Sequence, residues 1–215
     1  KQFKNGMMGT GVLGFDEINM SQSIKVHTTG SRAGTILVNG AVSTQGQSTI
    51  SIDGLTGATD TVTVGDVFTI ANVFAVNPQT RESTGSLQQF VVTAAQTGVS
   101  NALANMAISP PIYTSTNALA TVDSFPADNA AVTFVGTAST AYPQNLIYHK
   151  DAITFATADL VMPQGVDMAA RANHNGISLR VVRQYDINND RMPCRIDVLY
   201  GFSTIRPQMA CRLWG

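Results

Sequence analysis

Residues 34–76 read GTILVNGAVSTQGQSTISIDGLTGATDTVTVGDVFTIANVFAV, and turn residues separate short alternating apolar segments throughout this run. The turn pairs are Asn39-Gly40, Asp53-Gly54 and Gly65-Asp66. These residue types favour turns because Gly adopts positive φ freely and Asn and Asp hydrogen-bond their own backbone. Strand-like segments at spacings of about 8–12 residues are typical of antiparallel barrels and sandwiches. The run therefore predicts strands over residues 34–43, 48–53 and 67–76.

The same pattern continues on the C-terminal side, with further strands predicted over residues 87–94 and 103–108. Pro110-Pro111 is predicted to end strand pairing, because neither proline can donate a ladder hydrogen bond. The alternating positions supply a core large enough for a small domain. The predicted core consists of Ile36, Val38, Ile50, Ile52, Val62, Val64, Phe68, Ile70, Val73, Phe90 and Val92.

Residues 117–215 are less regular but still rich in strand patterns. Strands are predicted over 132–135 and 145–156, and one or two helical turns over 167–173. Residues 177–187 and 194–202 alternate on either side of the turn cluster 188–193, which predicts a long antiparallel hairpin. The chain as a whole is predicted to be mainly β with minor α. This strand pair is predicted to be a structural and interface element, and the face of its second arm predicted to be buried carries Cys194, Ile196, Val198, Tyr200 and Phe202.

Charged residues make up only 13% of the chain, about half the share of an ordinary soluble domain. The formal net charge is −1, so no overall charge draws the chain to nucleic acid or to an anionic membrane. Residues 28–149 hold two Arg against six acidic residues, whereas residues 171–215 hold seven Arg and three Asp. No apolar run approaches the roughly 18 residues of a membrane-spanning helix, and residues 1–14 show no secretory signal.

Two motifs resemble ligand sites without their required context. Residues 9–14 match the dinucleotide fingerprint GxGxxG, but residues 1–8 are not strand-like and no βαβ rhythm follows, so a turned glycine segment is favoured. Asp186, Asn188 and Asp190 have the spacing of a calcium loop, with Asp197 at the twelfth position. Arg191 stands where that loop needs Gly, so we predict a structural turn that binds no calcium.

The remaining reactive side chains form no catalytic pattern. His27, His149 and His174 are scattered, and Cys194 and Cys211 lie near no second ligand at zinc spacing, so they are compatible with free thiols. The adjacent triplet 149–151 is better explained as part of a loop than as a catalytic constellation. We therefore predict no catalytic, cofactor-binding or metal-binding residue and no cofactor, and we expect the protein not to be an enzyme.

The order of several short segments resembles the major capsid proteins of short-tailed phages, which have a Hong Kong 97-type fold with an inserted telokin-like β-barrel. The resemblance covers nearly the whole chain and implies the C-terminal half of such a protein. Residues 1–26 would then begin the capsid A-domain, residues 27–116 would form the barrel insertion domain, and residues 117–215 would complete the A-domain and close the P-domain. The segments are residues 14–18 (GFDEI), 28–30 (TTG), 65–70 (GDVFTI), 199–201 (LYG) and 205–207 (IRP).

The resemblance implies a structural subunit that assembles into the pentamers and hexamers of an icosahedral shell around double-stranded DNA. The expected partners are other copies of the chain, with scaffolding and portal proteins during assembly in the host bacterial cytoplasm. Packaged DNA is expected to make only non-specific contacts, and no membrane is expected to take part. The alternatives are a β-rich binding module of the adhesin or carbohydrate-binding type, and a hydrolase with an unrecognised site.

Overall fold

Nearly all the regular structure consists of β-strands. The computed structural model describes the backbone of residues 7–12 and the whole of residues 14–57 and 59–214. Within that part of the chain, the single helical element is a 3-10 turn at Pro207–Met209. The chain divides into a first unit, residues 1–144 with 214–215, and a second unit, residues 145–213. The mainly β fold class predicted from the sequence is confirmed.

A six-stranded antiparallel sheet dominates the first unit. Its order is β11-β7-β8-β10-β5-β4, and β3 lies in a separate sheet, ordered β18-β12-β3, in which β18 is Ala210–Trp214. The strands of this part of the chain are β1 (Met7–Val12), β2 (Phe15–Asn19), β3 (Val26–Thr28), β4 (Gly34–Val38), β5 (Gln47–Leu55), β6 (Thr61–Val62), β7 (Val67–Val76), β8 (Ser83–Val92), β9 (Gln96–Thr97), β10 (Leu103–Ile112), β11 (Val132–Phe134) and β12 (Ala141–Tyr148).

The two edge strands of the six-stranded sheet approach each other and nearly close it into a barrel. Leu37 forms an isolated antiparallel bridge with Ala131. The N–H of Val38 donates to the carbonyl of Ala130 at 2.9 Å, and the N–H of Asn129 donates to the carbonyl of Val38 at 2.9 Å. Closure satisfies edge groups that would otherwise offer a pairing site to another chain.

The barrel encloses one apolar cluster, which contains every predicted core residue except Val64. The prediction for Val64 is wrong, because this side chain is 57% exposed. The cluster extends past residue 116 to Val122 and Val132, and Phe125, Ala130 and Phe134 pack against it. Its members are Ile36, Val38, Val42, Ile50, Ile52, Leu55, Val62, Phe68, Ile70, Val73, Phe90, Val92, Leu103, Met106, Ile108, Ile112, Val122 and Val132.

Strand β10 continues through Pro110 and Pro111, so the prediction that these prolines end strand pairing is wrong. Pairing with β5 resumes at Ile112 after an irregularity that follows Ala107. The carbonyl of Pro111 accepts a hydrogen bond from the hydroxyl of Thr121 at 2.8 Å. Proline lacks only the N–H donor, so an irregular stretch whose carbonyls still find partners tolerates both residues.

The second unit consists of small sheets. Strands β14, β15 and β16 form one, and β13 pairs with β17 in another. The predicted strand over 145–156 is divided by a turn in which the N–H of Ala152 donates to the carbonyl of His149 at 2.9 Å. The strands here are β13 (Ile153–Ala158), β14 (Met168–His174), β15 (Ile177–Arg183), β16 (Cys194–Asp197), β17 (Leu199–Thr204) and β18 (Ala210–Trp214).

The helical turns predicted over residues 167–173 are wrong, because this segment is β14. It pairs with β15 from Met168 opposite Arg183 to His174 opposite Ile177. Asn175 and Gly176 between the strands have φ values of 50° and 79°. Two positive φ angles in an Asn-Gly loop favour a tight hairpin, and the partner strand overrides any local helical preference.

The predicted hairpin between 177–187 and 194–202 is confirmed in type but is shorter than expected. Strands β15 and β16 pair from Arg180 opposite Asp197 to Arg183 opposite Cys194. The second arm is interrupted at Val198, beyond which β17 pairs with β13 instead. The chain therefore changes partner in the middle of the alternating run.

Candidate assembly surface and buried ion pair

The second unit has almost no apolar core. Ala152 is the only fully buried apolar side chain among residues 145–213, all of which the structure describes. Ile196 is 69% exposed and Phe202 is 76% exposed, so their face is not buried within the chain itself, and its predicted place at an interface stays a prediction. The large exposed apolar side chains here are Leu146, Ile147, Tyr148, Phe155, Val161, Met168, Ile177, Leu179, Tyr185, Ile187, Met192, Ile196, Val198, Leu199, Tyr200, Phe202, Ile205 and Leu213.

Part of this surface is a groove on the two-stranded sheet of β13 and β17. The groove has a volume of about 490 Å³ and is lined mainly by apolar groups of Ala156, Ala158, Tyr200, Phe202 and Ile205. The rings of Phe155 and Tyr200 are stacked with centroids 6.0 Å apart. A two-stranded sheet is only marginally stable in water unless another layer covers it. We call the exposed apolar side chains of β13 and β17 the apolar sheet face.

The arginines of the second unit are largely paired within it. Asp197 accepts a hydrogen bond from Nη2 of Arg180 at 2.6 Å and is also bonded by Arg195. These hydrogen bonds hold the pKa of Asp197 below its ordinary value, with the bond from Arg180 as the larger cause. Arg183 lies 3.0 Å from Asp167. Because these charges pair with one another inside the unit, the exposed apolar side chains are the part of the surface that has no partner within it.

A buried ion pair in the first unit was not predicted from the sequence. Asp66 has a fully buried side chain, and its carboxylate lies 3.1 Å from Nη1 of Arg32. The same carboxylate accepts from the N–H of Thr63 at 2.9 Å and the N–H of Gly30 at 3.2 Å, and lies 3.0 Å from Nε2 of His27. A buried carboxylate with four partners joins the loop before β7 to the segment that follows β3.

Arg32 completes this cluster from the other side. Its guanidinium lies 4.2 Å from the ring centroid of Phe134, within the range of a cation–π contact. Burial lowers the pKa of Arg32, and the nearby Asp66 opposes that shift. The sequence contains only a slight signal of this pair. Residues 28–149 contain no Lys, and Arg32 and Arg81 are their only arginines. An isolated Arg in a weakly charged strand-rich segment was the available clue to a buried pair.

The candidate calcium loop is a turn whose carboxylates already have protein partners. Asp186 accepts from Nδ2 of Asn189 at 2.7 Å and from the N–H of Asn188 at 3.0 Å, and these bonds, that from Asn189 above all, lower its pKa. Asp190 accepts from the hydroxyl of Tyr185 at 2.8 Å, which raises the pKa of that tyrosine. The absence of calcium binding stays a prediction, and the turn geometry agrees with the structural interpretation.

The glycine motif at residues 9–14 is part of a β-hairpin. Strand β1 pairs with β2, and Gly14 has a φ of 82° in the connection. Met7 and Met8 belong to β1, so the expectation that residues 1–8 are not a strand is wrong at those two positions. Residues 1–6 and Leu13 lie outside the described residues. A strand rather than a helix follows the glycines, which is the wrong context for a dinucleotide.

The histidines and cysteines are not brought together. His149 lies 3.5 Å from Asp151 at the surface, His174 ends β14, and His27 belongs to the Asp66 cluster. Cys194 and Cys211 are exposed free thiols. In the part of the chain that the structure describes, no three His, Cys, Asp or Glu side chains are placed to hold a metal. Among those same residues, no helix is long and apolar enough to cross a membrane.

Comparison with known protein families places the chain among coat proteins. A model of the family described as P22 coat protein, gene protein 5, matches residues 1–215, so this chain belongs to the P22 coat protein family. Among solved structures, the CUS-3 coat protein I-domain is 26% identical, with a TM-score of 0.36, and the match covers 49% of this chain and 98% of that one. No curated protein matches the sequence.

Membership in this family confirms the resemblance inferred from the short sequence segments. It gives the chain a role in the capsid, a place in the virion and self-association as its mode of action. Its work is structural, and the family gives no indication of catalysis.

Proposed function

We propose that the chain belongs to a major capsid protein that assembles into the pentamers and hexamers of an icosahedral shell enclosing double-stranded DNA. The observation that carries this proposal is the exposed apolar surface of residues 145–213, where Ala152 is the only buried apolar side chain. Exposed apolar patches beyond a few hundred Å² mark interaction surfaces. In the shell, neighbouring protein covers the apolar sheet face.

The low charge of the chain supports the same function. A surface that is buried against several neighbours must lose its water, and charged groups make that desolvation expensive. Only 13% of the residues are charged, and Asp197, Asp167 and their arginine partners neutralise one another within the subunit. Scaffolding and portal proteins are proposed as partners during assembly in the host bacterial cytoplasm, and DNA as a non-specific contact only.

We further propose that residues 27–116 contain the inserted barrel of this capsid protein. On this proposal, residues 1–26 begin the A-domain and residues 117–215 complete the A-domain and P-domain. Support comes from five of the six strands of the sheet and most of its apolar cluster, which fall between Gly34 and Ile112, whereas β11 lies outside this range.

The size and shape of the purified protein test the proposed function. We expect light scattering to detect particles far larger than a monomer or dimer, and electron microscopy to resolve closed shells with five-fold and six-fold capsomers. Phe202→Ser removes an exposed aromatic ring from the apolar sheet face and should reduce the yield of shells. Ser86→Ala, on the exposed part of β8, is the control. A protein that remains small at all concentrations and binds a glycan instead would overturn the proposal.

A further inference from the structure

The only tryptophan of the chain occupies an aromatic site in the first unit. The ring of Trp214 stacks on Tyr142 with centroids 5.2 Å apart and planes inclined by 26°. It also contacts His27, with centroids 5.8 Å apart. Trp214 ends β18, Tyr142 lies in β12 and His27 lies in β3, and these three strands form one sheet. The sheet therefore brings Trp214 close to Tyr142 on the neighbouring strand and to His27 on the strand beyond it.

Gly136 shows that this site is shaped around the indole. Its φ is 81°, and a Cβ added there would lie 2.8 Å from Cζ3 of Trp214 and 3.0 Å from Cε2 of Tyr142. A side chain at this position would therefore meet both backbone strain and a collision with the rings. Gly40 provides a contrast, since its φ is 84° but nothing lies within 4 Å of an added Cβ.

A continuous series of contacts leads from the indole into the barrel. His27, which touches Trp214, lies 3.0 Å from the buried carboxylate of Asp66, and Asp66 pairs with Arg32 at 3.1 Å. Arg32 lies over Phe134, and the ring of Phe134 is 5.2 Å from that of the core residue Phe68. The indole is therefore the outermost member of a chain of contacts that ends in the apolar cluster.

We propose that His27, Gly136 and Tyr142 form a docking site for the indole of Trp214, and that strand β18 acts through it as a strap that stabilises the buried Asp66–Arg32 pair. The indole stacks on rings outside the barrel, whereas the apolar cluster is enclosed by the six-stranded sheet. Loss of the indole therefore leaves the barrel folded and removes the ring that packs against His27, a partner of Asp66. This inference goes beyond the capsid role and does not depend on it.

Fluorescence of Trp214 tests the proposal in the full chain, because no other tryptophan contributes. Gly136→Ala should make the indole clearly more accessible to acrylamide, since the added methyl group occupies its site. Gly40→Ala carries similar backbone strain without the collision and should leave acrylamide quenching as in the wild type. Equal quenching in the two variants would overturn the docking site.

A double-mutant cycle tests whether the strap stabilises the barrel. Trp214→Ala should lower the midpoint of thermal unfolding, whereas Leu213→Ala, which removes a half-exposed side chain from the same strand, should not. In the Trp214→Ala background, Gly136→Ala should destabilise less than it does in the wild type, because the main collision is gone. If the effects of the two substitutions simply add, or if Trp214→Ala and Leu213→Ala melt alike, the strap is excluded.

Discussion

The carboxylate of Asp66 links several segments of the first unit. Asp66→Asn keeps the shape of the side chain but leaves Arg32 buried without a counter-charge. Removing one partner of a buried ion pair costs about 3–5 kcal/mol, so we expect a loss of that size in the free energy of unfolding.

Denaturant titration measures this loss, with Asp16→Asn as the control. Asp16 is exposed on β2, and the same change of charge there should alter stability by no more than about 0.5 kcal/mol. Equal stability of the two variants would contradict the structural role of the buried pair.

Asp197 makes the second unit sensitive to acid. Its pKa is depressed in the folded chain by hydrogen bonds from Arg180 and Arg195. The resulting stabilisation is fully present above the ordinary pKa of 3.8 and is lost as the pH falls through the lower folded value. Asp197→Asn should therefore be less stable than the wild type at neutral pH, and the difference should vanish in strong acid. A pH-independent difference in unfolding midpoint would argue against this explanation.

At the scale of the strand, the same residue type has opposite roles in the two units. Ile50 on β5 is 1% exposed, whereas Ile196 on β16 is 69% exposed. We expect Ile50→Ala to lower the free energy of unfolding by about 2–5 kcal/mol, and Ile196→Ala to change that of the unassembled chain by less than about 0.5 kcal/mol.

Assembly into a shell should make the exposed Ile196 important for stability. On the proposed capsid function, Ile196→Ala reduces the yield or stability of shells although the free subunit is unaffected. Calorimetry of subunits and of shells separates the two effects. A large loss of stability in the free subunit would show that this face is buried within the chain rather than between subunits.

The local sequence pattern predicts a strand correctly where turn residues mark both of its ends. Strand β7 runs over residues 67–76 as predicted, because its alternation lies between Gly65-Asp66 and Asn77-Pro78. The local pattern is not enough where pairing or contact with a distant segment of the chain determines the structure. Residues 168–174 become a strand through pairing with β15, and Asp66 finds partners on segments that no local pattern connects to it.

For the whole molecule, the extent of the barrel core predicts which fragment folds alone. Residues 27–116 lack Val132 of β11 and Val122, both members of the apolar cluster. We expect a fragment of residues 27–144 to melt cooperatively with dispersed amide resonances. The shorter fragment 27–116 keeps the other five strands of the sheet and should fold but melt at a lower temperature, since burial of a Val side chain contributes about 1.5–3 kcal/mol.

Amide NMR and thermal unfolding of both fragments measure this difference. A narrow amide spectrum from both would contradict the proposed insertion domain. Equal melting temperatures would show that residues 117–144 are not needed by the barrel.

Because buried side chains are unevenly distributed, the backbone hydrogen bonds of the free subunit should open at two different rates. Amides of the barrel open only when the apolar cluster is disrupted, whereas those of β13 and β17 can open locally, since little is buried above them. In deuterated water, the barrel amides should exchange slowly in both the free and the assembled protein. Those of the apolar sheet face should exchange quickly until a neighbour covers them, so their protection records the moment at which a subunit joins the shell.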